Sequence, residues 1–108
     1  VVGCVLLAPA FGFIPRRWDR LTDAEREDWK RTGRLRIKNQ WIDTEVGYAL
    51  AEERDRFRPA DLAAKWNTPV LIFHGFADDT VPVAGTLDFL RDAPFPAVEV
   101  RVFKDGDH

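Results

Sequence analysis

Apolar residues are concentrated in two continuous runs and one alternating run along the 108-residue chain. Residues 1–8 and 70–73 are almost entirely apolar, which is typical of parallel strands that are buried on both faces of a sheet. In residues 98–103 every second position is a valine, which predicts a strand with one less buried face, near the sheet edge. The three runs predict a mostly parallel sheet and therefore an α/β fold.

The segment between the last two runs predicts a helix that connects their strands. Pro82 fits the first turn of a helix, and Val83, Leu87 and Leu90 follow the i, i+4, i+7 spacing of one apolar helix face. We expect this face to pack on the sheet, which makes residues 67–108 a βαβ unit.

Residues 11–66 differ from the rest, because isolated aromatic residues lie among charges and no long apolar run occurs. Thr22 and Glu25 match a capping box and Gly33 a C-terminal stop, which predicts a helix over residues 23–32. This middle region is interpreted as an insertion into the sheet domain.

A second helix in the insertion is predicted over residues 44–57. Apolar residues recur at helical spacing there, and Pro59 closes the pattern: Val46, Leu50 and Phe57. The segment between the two helices contains three further apolar residues and predicts an extended piece without a defined pairing partner: Leu35, Ile37 and Trp41. The predicted organisation is a core strand in residues 1–10, an insertion over 11–66, and the βαβ unit.

Composition and charge narrow the classes of partner. The chain is 45% hydrophobic and carries a net charge of −2 with both signs interspersed, so it has no general attraction to nucleic acid or to an anionic membrane surface. No apolar run reaches the roughly 18 residues of a membrane span. The single cysteine, Cys4, lies in an apolar run and is expected to be a small buried residue, which fits a cytoplasmic protein. No oligomeric state is predicted.

Two residue types are missing from the sequence, which contains no methionine and no serine. The first apolar run also begins at Val1, inside a predicted buried strand. We therefore expect the chain to be a fragment of a longer protein.

Two polar clusters follow the predicted strands. Residues 74–82 read HGFADDTVP and residues 105–108 read DGDH. In open α/β sheets, functional groups collect at the carboxyl ends of strands, where loops converge on a rigid sheet. These two runs resemble the acid loop and the histidine loop of α/β-hydrolases, and the resemblance implies that Asp78 is a triad acid and His108 a triad histidine.

The resemblance implies a fold and a reaction. The fold is the C-terminal portion of an α/β-hydrolase, with the insertion as a helical cap. The order nucleophile, acid, histidine places a serine on a GxSxG elbow upstream of Val1. The implied reaction is hydrolysis of a small-molecule carboxylic ester or thioester through an acyl-enzyme, without a cofactor. The chain would supply two of the three triad residues and be inactive alone.

The cap implied by the resemblance would cover the strand ends. We predict that four aromatic residues line an acyl or alkyl pocket there and exclude water from the reacting ester: Phe11, Phe13, Trp18 and Trp41. Residues 16–38 hold nine Lys or Arg against five Asp or Glu. This excess leaves open a phosphorylated or coenzyme-A-linked acyl substrate, beside the simpler interpretation of a solvated helix face.

Other assignments come from the same loops. We expect Asp79 to cap the following helix and His74 to shape the acid loop through local hydrogen bonds. A metal site is not predicted, because DGDH lacks the spacing of a calcium loop and no histidine pair has zinc spacing.

Two alternatives for function stay open: a prolyl-oligopeptidase-like peptidase, which shares the acid loop, and a ligand-binding protein on the same fold.

Overall fold

The computed structural model of the protein describes residues 2–108, so residue 1 of the first predicted strand lies outside the described residues. The elements in chain order are β1 (Cys4–Leu7), α1 (Phe13–Arg20), α2 (Asp23–Thr32), β2 (Arg34–Lys38), β3 (Asp43–Gly47), α3 (Tyr48–Glu52), α4 (Pro59–Ala64), β4 (Val70–Gly75), α5 (Ala84–Asp92) and β5 (Val98–Phe103). Over the described residues, none of these helices has the length and apolar character needed to cross a membrane.

The chain forms two compact units, which are described separately. The sheet unit comprises Val1–Phe11 and Arg58–His108, and the hairpin unit comprises Gly12–Phe57. In the sheet unit the strands are parallel and lie in the order β1-β4-β5. Strand β4, which contains the apolar run 70–73, is central and the alternating strand, β5, lies at the edge, so the α/β fold and both strand positions are confirmed.

The core of the sheet unit lies between one face of the sheet and helices α4 and α5. Its buried residues are Ala63, Val70, Ile72 and Phe89. The ring of Phe89 is the centre of an aromatic cluster: Phe11 stacks on it at 4.5 Å between ring centroids, and Trp66 meets it edge-on at 5.2 Å. This cluster packs helix α5 against the core of the sheet unit.

Helix α5 buries a different face from the one that the sequence predicts. Pro82 precedes the helix instead of lying in its first turn, and the buried positions are Gly85, Thr86 and Phe89. Leu87 and Leu90 are 43% and 39% exposed, so the predicted apolar face is wrong. The pattern misses the true face because two of its three residues are not large apolar side chains.

The hairpin unit contains the capped helix that the sequence predicts. The Thr22 hydroxyl accepts a hydrogen bond from the Glu25 amide at 3.2 Å, and the Glu25 carboxylate accepts one from the Thr22 amide at 3.0 Å. These reciprocal bonds satisfy backbone donors that helix geometry leaves unpaired. Gly33 ends the helix with a φ of 75°. The helix over residues 23–32 is confirmed.

The second predicted helix is wrong over most of its length. Residues 43–47 form strand β3, which pairs with β2 in an antiparallel ladder from Arg34↔Gly47 to Lys38↔Asp43. Only residues 48–52 are helical, in α3. The extended piece that had no predicted partner is β2, and pairing with it overrides the helical spacing of the apolar residues.

Cross-strand contacts explain why the hairpin forms there. The Arg36 guanidinium donates to both Asp43 carboxylate oxygens at 2.9 and 2.8 Å. In the connecting loop, the Asn39 side-chain oxygen accepts from the Trp41 and Ile42 amides at 2.8 and 3.0 Å. A short polar side chain that bonds to amides two and three residues ahead stabilises a tight turn.

The predicted insertion extends further than the hairpin unit. The insertion was expected over residues 11–66, whereas the compact unit is Gly12–Phe57. Helix α4 belongs to the sheet unit, because Ala63 is buried in its core. The role of the insertion as a cap stays a prediction.

A pair of alanine substitutions tests which face of α5 is buried. In the full-length protein, Phe89→Ala is expected to lower the free energy of unfolding by about 3–5 kcal/mol, since it leaves a cavity in the core. Leu87→Ala is expected to cost less than about 1 kcal/mol because its side chain is already partly solvated. Urea denaturation measures both. An equal or larger decrease in the free energy of unfolding for Leu87→Ala would show that the face predicted from the sequence is the buried one.

Candidate active site

Strands β4 and β5 end side by side, and a loop leaves from each end. The last paired residues are Gly75 and Phe103. Beyond them the loops continue to bond to each other: the Phe76 amide donates to the Phe103 carbonyl at 2.8 Å, and the Ala77 amide donates to the Gly106 carbonyl at 3.0 Å. The ladder of the parallel sheet therefore extends into the acid and histidine loops.

Two glycines make this close approach possible. A Cβ atom added to Gly75 would lie 2.2 Å from the Gly106 carbonyl oxygen, and one added to Gly106 would lie 2.9 Å from the Gly75 Cα. Backbone atoms meet there, so no side chain can move aside to make room. Glycine is needed at this crossing for its lack of a side chain, not for an unusual φ angle.

The Asp78 carboxylate lies in the acid loop with both oxygens bonded, and its side chain is 0% exposed. Its Oδ1 accepts hydrogen bonds from the Thr80 amide at 3.0 Å and the Val81 amide at 2.8 Å. Its Oδ2 lies 3.0 Å from His108 Nδ1. The structure thus brings together the two residues that the resemblance singles out.

Asp78 also takes the turn-forming role that the sequence assigns to Asp79. The Thr80 and Val81 amides bond to Asp78, whereas Asp79 is exposed. Helix α5 begins at an N-cap residue, Val83, that makes no side-chain capping bond. The prediction of Asp79 as a helix cap is therefore wrong, because the loop amides donate their hydrogen bonds to Asp78 instead.

Hydrogen bonds keep the Asp78 carboxylate ionised in its buried position. Burial raises the pKa of Asp78, but the Val81 amide, His108 and the Thr80 amide together outweigh burial and lower the pKa below its ordinary value. A carboxylate that accepts several N–H bonds is stabilised in its charged form. Asp78 is therefore an anion at neutral pH and can only accept hydrogen bonds.

An anionic Asp78 determines the tautomer of His108. Because the carboxylate can only accept, His108 Nδ1 carries the proton and donates it to Oδ2. In the neutral imidazole the lone pair is then on Nε2, which makes Nε2 the basic atom. The His108 side chain is 25% exposed, whereas that of Asp78 is fully buried. This arrangement is chemically able to accept a proton at Nε2 and to stabilise the resulting imidazolium.

His74 is buried next to this pair and forms local hydrogen bonds, as the sequence predicts. Its Nδ1 lies 2.8 Å from the Thr86 hydroxyl and its Nε2 lies 2.7 Å from the Val81 carbonyl. Sequence reasoning missed Thr86. In the sequence Thr86 is only a polar residue on a predicted helix after the acid loop, and this position does not distinguish a buried threonine from an exposed one.

The four aromatic residues predicted to line a pocket lie in different surroundings. Phe11 stacks on Phe89 in the sheet unit. In the hairpin unit, the Arg17 guanidinium lies over the Phe13 ring, and those of Arg26 and Arg54 lie 4.9 and 4.2 Å from the Trp18 ring centre. Trp41 is 43% exposed, near the hairpin turn. Their part in a substrate pocket stays a prediction.

Over residues 2–108, no group of three or more His, Cys, Asp or Glu side chains is placed to hold a metal ion. The acidic residues of the histidine loop, Asp105 and Asp107, are exposed.

Comparison with known proteins assigns the chain to a family. A model of the prolyl oligopeptidase family matches residues 21–108, which include both loops. The chain belongs to this family. No curated protein matches it.

Solved structures similar to the chain share its fold. A protein from Agrobacterium vitis S4 described as a hydrolase is 29% identical, with a TM-score of 0.84 over 100% of this chain and 42% of that protein. Mouse alpha/beta hydrolase domain-containing protein 10 is 20% identical, with a TM-score of 0.80 over 100% and 44%. A monoacylglycerol lipase from Paleococcus ferrophilus is 16% identical, with a TM-score of 0.61 over 100% and 51%.

These comparisons confirm the resemblance to α/β-hydrolases. The chain spans 42% of the protein from Agrobacterium vitis and 44% of the mouse protein. The likeness to the mouse protein and to the lipase is one of fold.

Substitution of the crossing glycine tests the packing of the two loops. Gly75→Ala in the full-length protein is expected to lower the free energy of unfolding by about 1–3 kcal/mol, because the new methyl group overlaps backbone atoms. Gly47→Ala is the matched control, since a Cβ there meets nothing within 4 Å, and it is expected to change stability by less than about 1 kcal/mol. Urea denaturation compares them, and equal effects would refute the close approach.

Acid titration tests the charge state of Asp78. Because its pKa is lowered on folding, Asp78 stabilises the protein above the ordinary carboxyl pKa of about 3.9 and loses this contribution as the pH falls through the lower folded value. Asp78→Asn is expected to remove that part of the pH dependence. Unfolding free energies of both full-length proteins, measured by urea between about pH 6 and about pH 3, test this. Parallel pH curves would contradict it.

Proposed function

We propose that the full-length protein is a serine hydrolase that cleaves a carboxylic ester or thioester, with Asp78 as triad acid and His108 as general base. The observation that carries the proposal is the 3.0 Å contact between His108 Nδ1 and Asp78 Oδ2. A buried, ionised carboxylate on Nδ1 is the partner that an imidazole needs to act as a base at its other nitrogen. Family membership supports a hydrolytic reaction.

In the proposed mechanism, His108 accepts a proton and then donates it in each half of the reaction. Nε2 takes the proton of a serine hydroxyl as the serine oxygen attacks the acyl carbon, and Asp78 stabilises the imidazolium. The imidazolium then gives the proton to the departing alcohol or thiol, which leaves an acyl-enzyme. Water attacks this ester in the same way, and the serine is regenerated with release of the acid.

The serine must come from residues outside this sequence, because the 108 residues contain no serine. The proposal therefore assigns this chain the acid and the base only. Proton transfer by a positioned base contributes about 10²–10⁴ to the rate of such reactions. Removal of a triad acid that holds the tautomer costs about 10⁴ in kcat in the best-studied serine proteases.

A peptidase is the second candidate, and membership of the prolyl oligopeptidase family favours it. Both candidates share every step up to the leaving group, which is an amine in peptide cleavage and an alcohol or thiol in ester cleavage. The lipase among the structural neighbours is 16% identical, so its name does not choose between them. A comparison of ester, thioester and peptide substrates distinguishes the two candidates.

Two triad variants and one control test the proposal in the full-length protein. Asp78→Asn and His108→Ala are expected to lower kcat by at least about 10³ with short-chain p-nitrophenyl esters or an acyl thioester, since each removes the activated base. Asp105→Asn changes an exposed carboxylate in the histidine loop and is expected to leave kcat unchanged.

Each other outcome has a defined meaning. If both triad variants keep the activity of the parent, the assignment of Asp78 and His108 fails. Cleavage of prolyl peptide p-nitroanilides but of no ester would establish the peptidase instead. A parent that binds acyl esters without turnover would favour a ligand-binding protein.

A further inference from the structure

Two buried polar residues have no part in the proton transfers proposed above. His74 is 2% exposed and Thr86 is 0% exposed, and both lie inside the sheet unit against the acid loop. Burial of an imidazole and a hydroxyl costs free energy unless their hydrogen bonds are made. Each ring nitrogen of His74 has a partner, so hydrogen bonds offset the cost of burying the ring and the hydroxyl.

The hydrogen bonds of His74 determine its tautomer. The Val81 carbonyl can only accept, so the Nε2 proton of His74 is donated to it across 2.7 Å. In a neutral imidazole Nδ1 is then the acceptor, and the Thr86 hydroxyl donates to it across 2.8 Å. Thr86 lies within helix α5, which packs on the sheet core through Phe89. The ring of His74 is thereby held from both sides.

Val81 connects this buried pair to the candidate triad acid. Its carbonyl accepts from His74, and its amide donates to Asp78 Oδ1 at 2.8 Å. Both groups flank one Cα atom, so a shift of the carbonyl also moves the amide. The Nε2 atom of His74 additionally lies 3.7 Å from Asp78 Oδ2, the oxygen that contacts His108.

We propose that His74 and Thr86 are positioning residues for the triad acid. They hold Val81, and Val81 holds the Asp78 carboxylate at the rotation that presents Oδ2 to His108 Nδ1. The inference rests on the proposed function. Its physical basis is that a base oriented by a carboxylate loses rate when the catalytic groups are misplaced by about 1 Å.

A pair of substitutions at one position tests the proposal in the full-length protein. Thr86→Val keeps the shape of the side chain but removes the hydroxyl donor, and is expected to lower kcat about 10-fold with KM unchanged. Thr86→Ser restores a hydroxyl and is expected to retain kcat within about 2-fold of the parent. Rates are expressed per folded protein, measured by near-ultraviolet circular dichroism, so that a lower folded yield does not count as lower kcat.

A double-mutant cycle separates positioning from plain stabilisation of the fold. In the Asp78→Asn background, Thr86→Val is expected to cause no further loss of kcat, because the group that it positions is already gone. An effect that does not act through Asp78 would reduce kcat by the same factor in both backgrounds, and that result would overturn the proposal. If Thr86→Val does not fold, His74→Gln, which keeps an amide donor without the fixed ring, is carried through the same cycle with the same expectation.

Failure of this inference is distinct from failure of the proposed function. If Asp78→Asn and His108→Ala abolish turnover while Thr86→Val and His74→Gln keep the parental kcat, only the positioning role is refuted. If the triad variants themselves retain turnover, the proposed function fails, and the positioning role is refuted with it.

Discussion

The Asp78 carboxylate is a buried charge, and the local structure around it follows from the need to satisfy it. An anion removed from water is tolerated only when its oxygens accept enough hydrogen bonds. Asp78 obtains two from loop amides and one from His108. The amides require the loop to turn tightly back on its own aspartate, and the imidazole requires a second loop to arrive beside the first.

The parallel sheet makes that arrival possible. Adjacent strands β4 and β5 end at the same edge, so the chain needs only a few residues beyond each strand to bring Asp78 and His108 into contact. Backbone bonds between the loops continue the strand pairing past Gly75. The site is thus built on the most regular part of the fold, while the hairpin unit is a separate compact body.

The three strands of the parallel sheet, the helix capped by Thr22 and the pairing of the two functional loops could be predicted from the sequence, because each depends on local pattern or on a recognisable loop. The strand β3 could not, since its pairing with β2 is a tertiary contact that overrides a helical spacing of apolar residues. The buried face of α5 was missed for a related reason. Thr86 is buried through a hydrogen bond to His74, and an apolar pattern does not register such a bond. The choice of Asp79 as the turn residue failed because the sequence does not show which of two adjacent carboxylates faces the loop amides.

The crossing of Gly75 and Gly106 leaves no space between the two loops. Loops in direct backbone contact cannot change length or path independently, because a shift in one would displace the other and separate the carboxylate from the imidazole. The two loops therefore form one structural unit, although a helix and a strand separate them along the chain. A redesign of this edge of the sheet therefore has to exchange the acid and histidine loops together, with both glycines, and leave variation to the parts of the chain that do not pass through the crossing.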